Sequence, residues 1–278
     1  MIRAVADDAD LELCARICSA VEEVAPAVEQ LRAVQERLLL DPDGGYAYVN
    51  HSTVVGSAYA MVRVLPERRR AGIGTALVEA AASEARKLGH ESAWGYVQAG
   101  DEDSLAFVST RGFAEVGREV ELTRRLAPGE EEAGPDGIVE LGDEHRVGAY
   151  AVSVAAVPDM PTAGAAEARS FETWVEQELA DATAAFVALE HGTVVGYGTL
   201  QPMADPTRLE HGFTGVLPEH RRRGFATALG RAQIAWAAER GYEGLFTTTG
   251  VSNTALRRQK TKLGYVERDG PILVRGPV

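Results

Sequence analysis

The sequence predicts an α/β (α+β) protein built as two tandem domains. Three observations predict it. One 26-residue stretch occurs twice, apolar runs of strand length alternate with amphipathic helical patterns, and a Pro/Gly-rich polar segment divides the chain near its middle. The later copy of the stretch, Val216 to Gly241, reads VLPEHRRRGFATALGRAQIAWAAERG, and the earlier, Val64 to Gly89, reads VLPERRRAGIGTALVEAAASEARKLG. They match at 13 of 26 positions, all at an offset of 152. Gly112-Phe113 falls on Gly264-Tyr265 at the same offset. Upstream, Thr53-Val54-Val55-Gly56 repeats as Thr193-Val194-Val195-Gly196 at an offset of 140. That leaves 12 extra residues in the second copy and predicts a truncated first sheet. Two copies make a duplication, not a solenoid.

The elements follow in order. Ile2 to Val5 is a short strand, and Asp7 or Asp8 caps a helix to about Val21. A second helix is expected from Pro26 to Leu39, then a strand at Gly45–Val49, a turn at Asn50–Ser52 and a strand from Thr53. After the Thr75–Leu88 helix come a strand at Ser92–Val97, a helix at Asp103–Thr110 and a strand at Phe113–Leu122. The domain limits are therefore residues 1–126, a linker at 127–137, and 138–278. The second copy has helices at Asp143–Ala156 and Ser170–Leu179, broken between by Pro158 and Pro161. A hairpin joins Ala185–Leu189 to Val194–Leu200 around His191-Gly192. Leu209–Val216 leads into the repeated stretch, whose helix begins by Thr227. A strand at Leu245–Thr248, a helix at Asn253–Lys262 and a strand at Ile272–Val274 close the chain.

Composition narrows the function. At 45% apolar and 25% charged, each half can bury a core. A formal charge of -13 argues against a nucleic-acid partner. It favours a cationic substrate through steering, or serves solubility alone. Cys14 and Cys18, the two cysteines, lie four apart on an apolar helical face and read as buried thiols. No His or Cys set completes a metal site, so no metal is expected. No run approaches the ~20 apolar residues of a membrane span, and no leader pattern opens the chain, so no membrane partner and a cytoplasmic location are expected.

The repeated stretch carries the chemistry. Pro218 stops a strand, Arg221-Arg222-Arg223-Gly224-Phe225-Ala226 turns the chain, and a helix follows. Such a turn leaves backbone N–H groups unpaired at a helix N-terminus, where the dipole favours an anion. Gly224 and Ala226 keep that backbone uncovered, and the arginines add charge. The inference is a pyrophosphate cradle, present twice.

This pattern resembles motif A of the GCN5-related N-acetyltransferases (GNAT): Arg69-Arg70-Ala71-Gly72-Ile73-Gly74 in the first copy and Arg221 to Ala226 in the second. Each copy also has the preceding strand, the following helix and a closing Asp/Asn…Gly-aromatic segment. The architecture is similar to tandem GNAT proteins of actinobacteria. The resemblance implies two GNAT domains, each a mixed, mostly antiparallel, splayed sheet flanked by helices. It implies acetyl-CoA as co-substrate and direct acetyl transfer to the amine of a small molecule, with no covalent acyl-enzyme. The expected coenzyme A contacts are Thr214, Gly215, Val216, Arg221, Arg222, Arg223, Gly224, Phe225, Ala226, Thr227 and Asn253 in the second copy. In the first they are Val62, Val64, Arg69, Arg70, Gly72, Ile73, Gly74 and Thr75. Thr214–Val216 would pair with the pantetheine arm, and Gly215 marks a bulge or a close approach.

The copies differ at the base. An alkylammonium of pKa ~10.4 must lose a proton before it attacks. In the family that base is often a carboxylate on the strand entering the cradle. Glu210 stands there, and Ala58 is its counterpart. Hence the second copy is expected to be catalytic, with Glu210 as base; the alternative is a solvated carboxylate near Arg208. The first copy either binds coenzyme A without turnover or buttresses the fold. The family's tyrosine acid is absent: Lys260 and Val108 occupy its positions. Tyr150, Met160, Phe171 and Trp174 line the expected acceptor region, as core or as cation cage. Rival readings are a mycothiol-synthase-like or antibiotic-modifying acetyltransferase, or a non-catalytic acyl-CoA-binding regulator. A monomer and a homodimer both fit.

Overall fold

The computed structural model describes residues 1–22, 26, 28–52, 54–127, 137–159, 167–180, 182–203 and 205–278. Thr53, Met160, Pro161 and most of the expected linker lie outside them. Strand β1 (Arg3–Ala4) leads to helix α1 (Asp8–Ser19). Asp7 caps α1 by accepting from the Asp10 N–H at 3.0 Å, and Leu11, Cys14, Ile17 and Cys18 bury one face. The expected Pro26–Leu39 helix is only α2 (Val28–Arg32) and a 3₁₀ turn at Gln35–Arg37. Leu38 to Asp41 is instead strand β2. Its leucines alternate: Leu38 and Leu40 pack with α1, Leu39 with the opposite core.

Strands β3 (Gly45–His51) and β4 (Ser57–Val64), helix α3 (Ile73–Lys87), strand β5 (Ser92–Val97), helix α4 (Glu102–Ser109) and strand β6 (Ala114–Arg125) complete the first copy. The second copy repeats the plan. It has β7 (Ile138–Glu140), α5 (Arg146–Ala156), α6 (Phe171–Trp174) continuing as a π-helical turn to Leu179, β8 (Ala184–Glu190) and β9 (Thr193–Pro202). Then follow β10 (Arg208–Val216), α7 (Phe225–Glu239), β11 (Gly244–Gly250), α8 (Thr254–Lys262) and β12 (Val266–Pro277). The truncation of the first copy is one of strand length, not strand number: β2 has 4 residues against 7 in β8, and β3 has 7 against 10 in β9. The Thr53–Gly56 match is not a structural equivalence. Val54 to Gly56 belongs to the β3–β4 connection, whereas Thr193–Gly196 opens β9.

The contacts divide the chain into two compact units, Met1–Gly117 with Pro271–Val278, and Arg118–Gly270. This differs from the sequence division at the linker because the closing strands are exchanged. Residues 119–125 of β6 pair antiparallel with β11, and residues 272–277 of β12 pair antiparallel with β5. Apolar alternation suits each to its adopted core. Val120 and Leu122 are buried with Leu209 and Leu245, and Ile272 and Val274 with Val97.

The first unit orders its strands β1-β2-β3-β4-β5-β12, the second β6-β11-β10-β9-β8-β7. Each sheet is antiparallel except for one parallel pair, β4–β5 and β10–β11. In the second unit α7 packs on one face against Leu200, Leu209 and Leu245, while α5 and α6 pack on the other against Val187, Tyr197 and Phe213.

Candidate active site

Both cradles share one backbone conformation. Arg70 and Gly72 have φ of 64° and 87°, and Arg222 and Gly224 have φ of 60° and 97°. Alternating left-handed residues turn successive N–H groups toward one point, an anion-binding nest. Gly72 and Gly224 are glycine because of φ, not crowding: a Cβ at either would meet nothing within 4 Å. Side chains cap α1, α4, α6 and α8, namely Asp7, Asp101, Ser170 and Asn253. At α3 and α7 the capping position is glycine and no side chain bonds the first N–H groups. Those donors remain available for an anion.

Strand β10 positions Glu210. It pairs with β11 only at Arg208, Leu209 and Glu210, against Gly244, Leu245 and Phe246. Beyond Glu210 the two strands part, and a cleft opens toward the cradle. On the other side the register to β9 slips between His211 and Thr214, so Gly212 and Phe213 face Thr199 alone. Thr199 Oγ1 accepts from the Phe213 N–H at 2.9 Å and holds this bulge. The bulge therefore precedes Gly215, where a Cβ would instead meet the Phe213 ring at 2.6 Å. Glu210 is half-buried, and among the described residues no cation pairs with it, Arg208 included. Burial, and then the charge of Glu119, pushes its carboxyl up to about 7. In the first unit the position of Glu210 is taken by Tyr59, which pairs with Trp94 as Glu210 pairs with Phe246; Ala58, the counterpart expected from the sequence, matches Leu209 instead, because the extra residue of the β10 bulge shifts the count by one.

The other expected contacts are arranged as follows. The Thr214 Oγ1 is buried without a hydrogen-bond partner. Arg221 donates from Nε to the Val216 carbonyl at 3.0 Å and pairs with Asp159 at 2.7 Å. Arg223 pairs with Glu190 and lies 5.6 Å over the Phe225 ring. Asn253 caps α8 by accepting from the Leu256 N–H at 3.2 Å, and donates to Thr249 Oγ1 at 3.1 Å. Arg222, Ala226 and Thr227 sit at the turn and first helical residues. In the first unit a cavity of about 680 Å³ lies on the cradle, lined by Val62, Val64, Arg69, Arg70, Gly72, Gly74 and Thr75. Ile73 does not line it; its side chain is buried in the core.

The Acetyltransferase (GNAT) family profile matches residues 27–113 and 153–265. The chain belongs to the GNAT acetyltransferase family. A mycothiol acetyltransferase of Nocardia farcinica is 30% identical over 282 aligned residues, which span 93% of this chain and 90% of that protein. A GCN5-related N-acetyltransferase of Sphaerobacter thermophilus superposes with a TM-score of 0.78 at 22% identity, covering 100% of this chain and 95% of that one. A tandem GNAT protein from the clavulanic acid biosynthesis pathway superposes at 0.76 and 17% identity, covering 100% and 97%. The protein is thus an N-acetyltransferase with tandem GNAT architecture, and GNAT enzymes draw the acetyl group from acetyl-CoA.

Against the GNAT pattern, position 260 departs most. Lys260 is 1% exposed, lies 4.8 Å over the Tyr265 ring, and burial lowers its ammonium to about 7. Its neighbour is His211, buried and bonded through Nε2 to the Tyr265 hydroxyl at 2.5 Å. His211 and Glu210 are consecutive on β10 and so lie on opposite faces. Tyr150, Phe171 and Trp174 pack together at ring distances of 5.3–5.9 Å, with Trp174 2% exposed, which is core packing. Sequence reasoning missed the bulge and Glu119. Glu119 sits in an alternating strand pattern, Glu119-Val120-Glu121-Leu122, but nothing local says which sheet that strand joins.

Proposed function

We propose that the C-terminal cradle holds acetyl-CoA and that Glu210 deprotonates the amine of a small-molecule acceptor for direct acetyl transfer. The observation that supports this is Glu210 itself, at the point where β10 and β11 part, with its carboxyl pushed up to about 7. A carboxylate at its ordinary pKa faces an ammonium some six powers of ten less acidic, whereas one near 7 faces about three. Proton transfer is correspondingly easier, and half of the groups are still ionised at neutral pH. The uncapped N–H groups of α7, with Arg221 to Arg223, would take the diphosphate. The free edge at Thr214–Val216 would take the pantetheine arm and offer donors to the oxyanion. The thiolate departs as a good leaving group, so the absent tyrosine is no bar. The first cradle, with its cavity and Tyr59 in place of a carboxylate, binds coenzyme A without turnover.

The test is thiol release from acetyl-CoA with an amine panel, comparing wild type with Glu210→Gln. Turnover by wild type that falls by about 10²-fold or more in the variant supports the reading. Binding of acetyl-CoA with no thiol release by either protein points to a non-catalytic acyl-CoA-binding regulator instead. The 30% identity to a mycothiol acetyltransferase favours a mycothiol-synthase-like acceptor among the small amines tried.

A further inference from the structure

The first unit keeps a chamber on one face of its sheet where the second unit has core. The duplication fixes which residues correspond. At the offset of 152, Met61 stands where Phe213 does and Arg63 where Gly215 does. Tyr46 pairs with Arg63 and Tyr197 with Gly215, so these two tyrosines correspond as well. In the second unit Phe213 stacks on Tyr197 at 5.4 Å, and Trp174 lies 5.5 Å from Tyr197. All three are 8% exposed or less. In the first unit the slimmer Met61 leaves a chamber of about 340 Å³, walled by Cys18, Leu31, Tyr46, Tyr48, Tyr59 and Met61. Tyr46 is fully buried in that wall, and its hydroxyl has no hydrogen-bond partner. A ligand oxygen would relieve that cost.

The chamber adjoins the first cradle. Its walls and those of the 680 Å³ cradle cavity share Glu22, Met61 and Tyr96. Strands β4 and β5 pair only from Ser57 to Tyr59, against Ser92 to Trp94, and then part. Met61 and Arg63 alternate with Tyr59 along β4, and Tyr96 with Trp94 along β5, so all of them face the chamber side. A polar bridge spans the gap between the strands. Arg63 Nε donates to Glu22 Oε1 at 2.5 Å, Gln98 Nε2 donates to Glu22 Oε2 at 2.9 Å, and the guanidinium lies 5.3 Å from the Tyr96 ring centre. The two charges thus satisfy each other, and what they leave beside the gap is aromatic and apolar. Tyr59, at the position of Glu210, is a neutral phenol at pH 7 and takes no proton from an amine.

We propose that the first unit is a binding site for acyl-CoA thioesters longer than acetyl-CoA, with the diphosphate on the Arg69–Thr75 cradle and the acyl chain in the chamber walled by Tyr59 and Met61. This rests on the reading that the first cradle binds coenzyme A. The occupant follows from continuity. A thioester held along β4 lies at the gap, and the apolar space that its acyl chain meets there is this chamber. The second unit, with Phe213 and Trp174 packed into the corresponding space, is left with the acetyl group. The two copies therefore differ in acyl length as well as in the base.

The experiment is isothermal calorimetry on the full chain with coenzyme A, acetyl-CoA, butyryl-CoA and hexanoyl-CoA. Gly224→Val leaves the first cradle alone to be titrated, and wild type is fitted for two sites. Each buried methylene is worth about fourfold in affinity, and hexanoyl-CoA has four more of them than acetyl-CoA. Hexanoyl-CoA should therefore bind the first site at least about tenfold more tightly than acetyl-CoA, with butyryl-CoA between them. Met61→Phe, which copies the second unit's residue, should bring hexanoyl-CoA to within about threefold of acetyl-CoA and leave coenzyme A itself unmoved. Binding of coenzyme A with no dependence on acyl length overturns the chamber and leaves the cradle reading intact. A hexanoyl preference that survives Met61→Phe overturns it too. A Gly224→Val protein that melts like wild type and binds no coenzyme A removes the cradle reading and the proposal with it. If Gly224→Val does not fold, Gly72→Val decides: the hexanoyl preference must be present in wild type and absent from Gly72→Val, and its persistence there overturns the proposal.

Discussion

Glu210→Gln should make the protein more stable at pH 8 and leave its stability unchanged at pH 4. The magnitude follows from one group. In the folded chain burial and Glu119 hold the Glu210 carboxyl at about 7. In the unfolded chain it returns to ~4.3. The folded state therefore binds the proton more tightly. The stability this confers is full below ~4.3 and is lost as pH rises through about 7. Above pH 8 the folded state carries a disfavoured charge, worth ~4 kcal/mol at most and ~1–3 kcal/mol after coupling to Glu119 is allowed for. Glutamine has the same shape and never carries that charge. At ~2–4 °C per kcal/mol, the variant should melt ~2–12 °C higher at pH 8. The assay is circular dichroism melting at pH 4, 6, 7 and 8 for both proteins. The same variant should lose about 10²-fold or more in turnover, as expected where a strained group serves function. An equal shift at pH 4 and pH 8, or a less stable variant at pH 8, would refute the reasoning.

Other consequences are independent of that residue. Thr199→Val removes the acceptor from the Phe213 N–H at the bulge and should destabilise by ~1–3 kcal/mol in urea unfolding; a change under ~0.5 kcal/mol would show the bulge is held otherwise. Cys14 and Cys18 are buried, and burial pushes the Cys14 thiol up to about 12 and raises that of Cys18. Native protein should thus react with an aromatic disulfide reagent only as fast as it unfolds, and a rapid native reaction contradicts this. Gly224→Val places a β-branched residue at φ of 97° in the proposed catalytic cradle, and Gly72→Val does the same at 87° in the first. Calorimetry should show each variant losing one coenzyme A site, with turnover lost only in Gly224→Val.

The parts of the fold legible in sequence are those fixed by local chemistry. Both cradles are readable because a left-handed residue without a Cβ must be glycine, and Gly72 and Gly224 recur at the same spacing. The α1 cap was equally plain, since Asp7 precedes an apolar helical face. Strand β2 was hidden because Leu38-Leu39-Leu40 satisfies a helix pattern and a doubly buried strand equally well. The Thr53–Gly56 match misled because Val54 to Gly56 lie in the β3–β4 connection whereas Thr193–Gly196 opens a strand. Glu210 was legible through its distance from the cradle. Glu119 was not, because it reaches the site through a strand exchange between sequence halves, a contact no local pattern encodes. The bulge at Gly212 and Phe213 depends likewise on the facing Thr199 of another strand.

The most direct measurement is a crystal structure of the full chain with coenzyme A bound. The diphosphate should lie on the N–H groups that open α7, the pantetheine along Thr214–Val216, and the sulfur near the Glu210 carboxylate. Diphosphate density at neither cradle, or a Glu210 side chain turned out of the cleft that holds the sulfur, would contradict the assignment of base and cradle together.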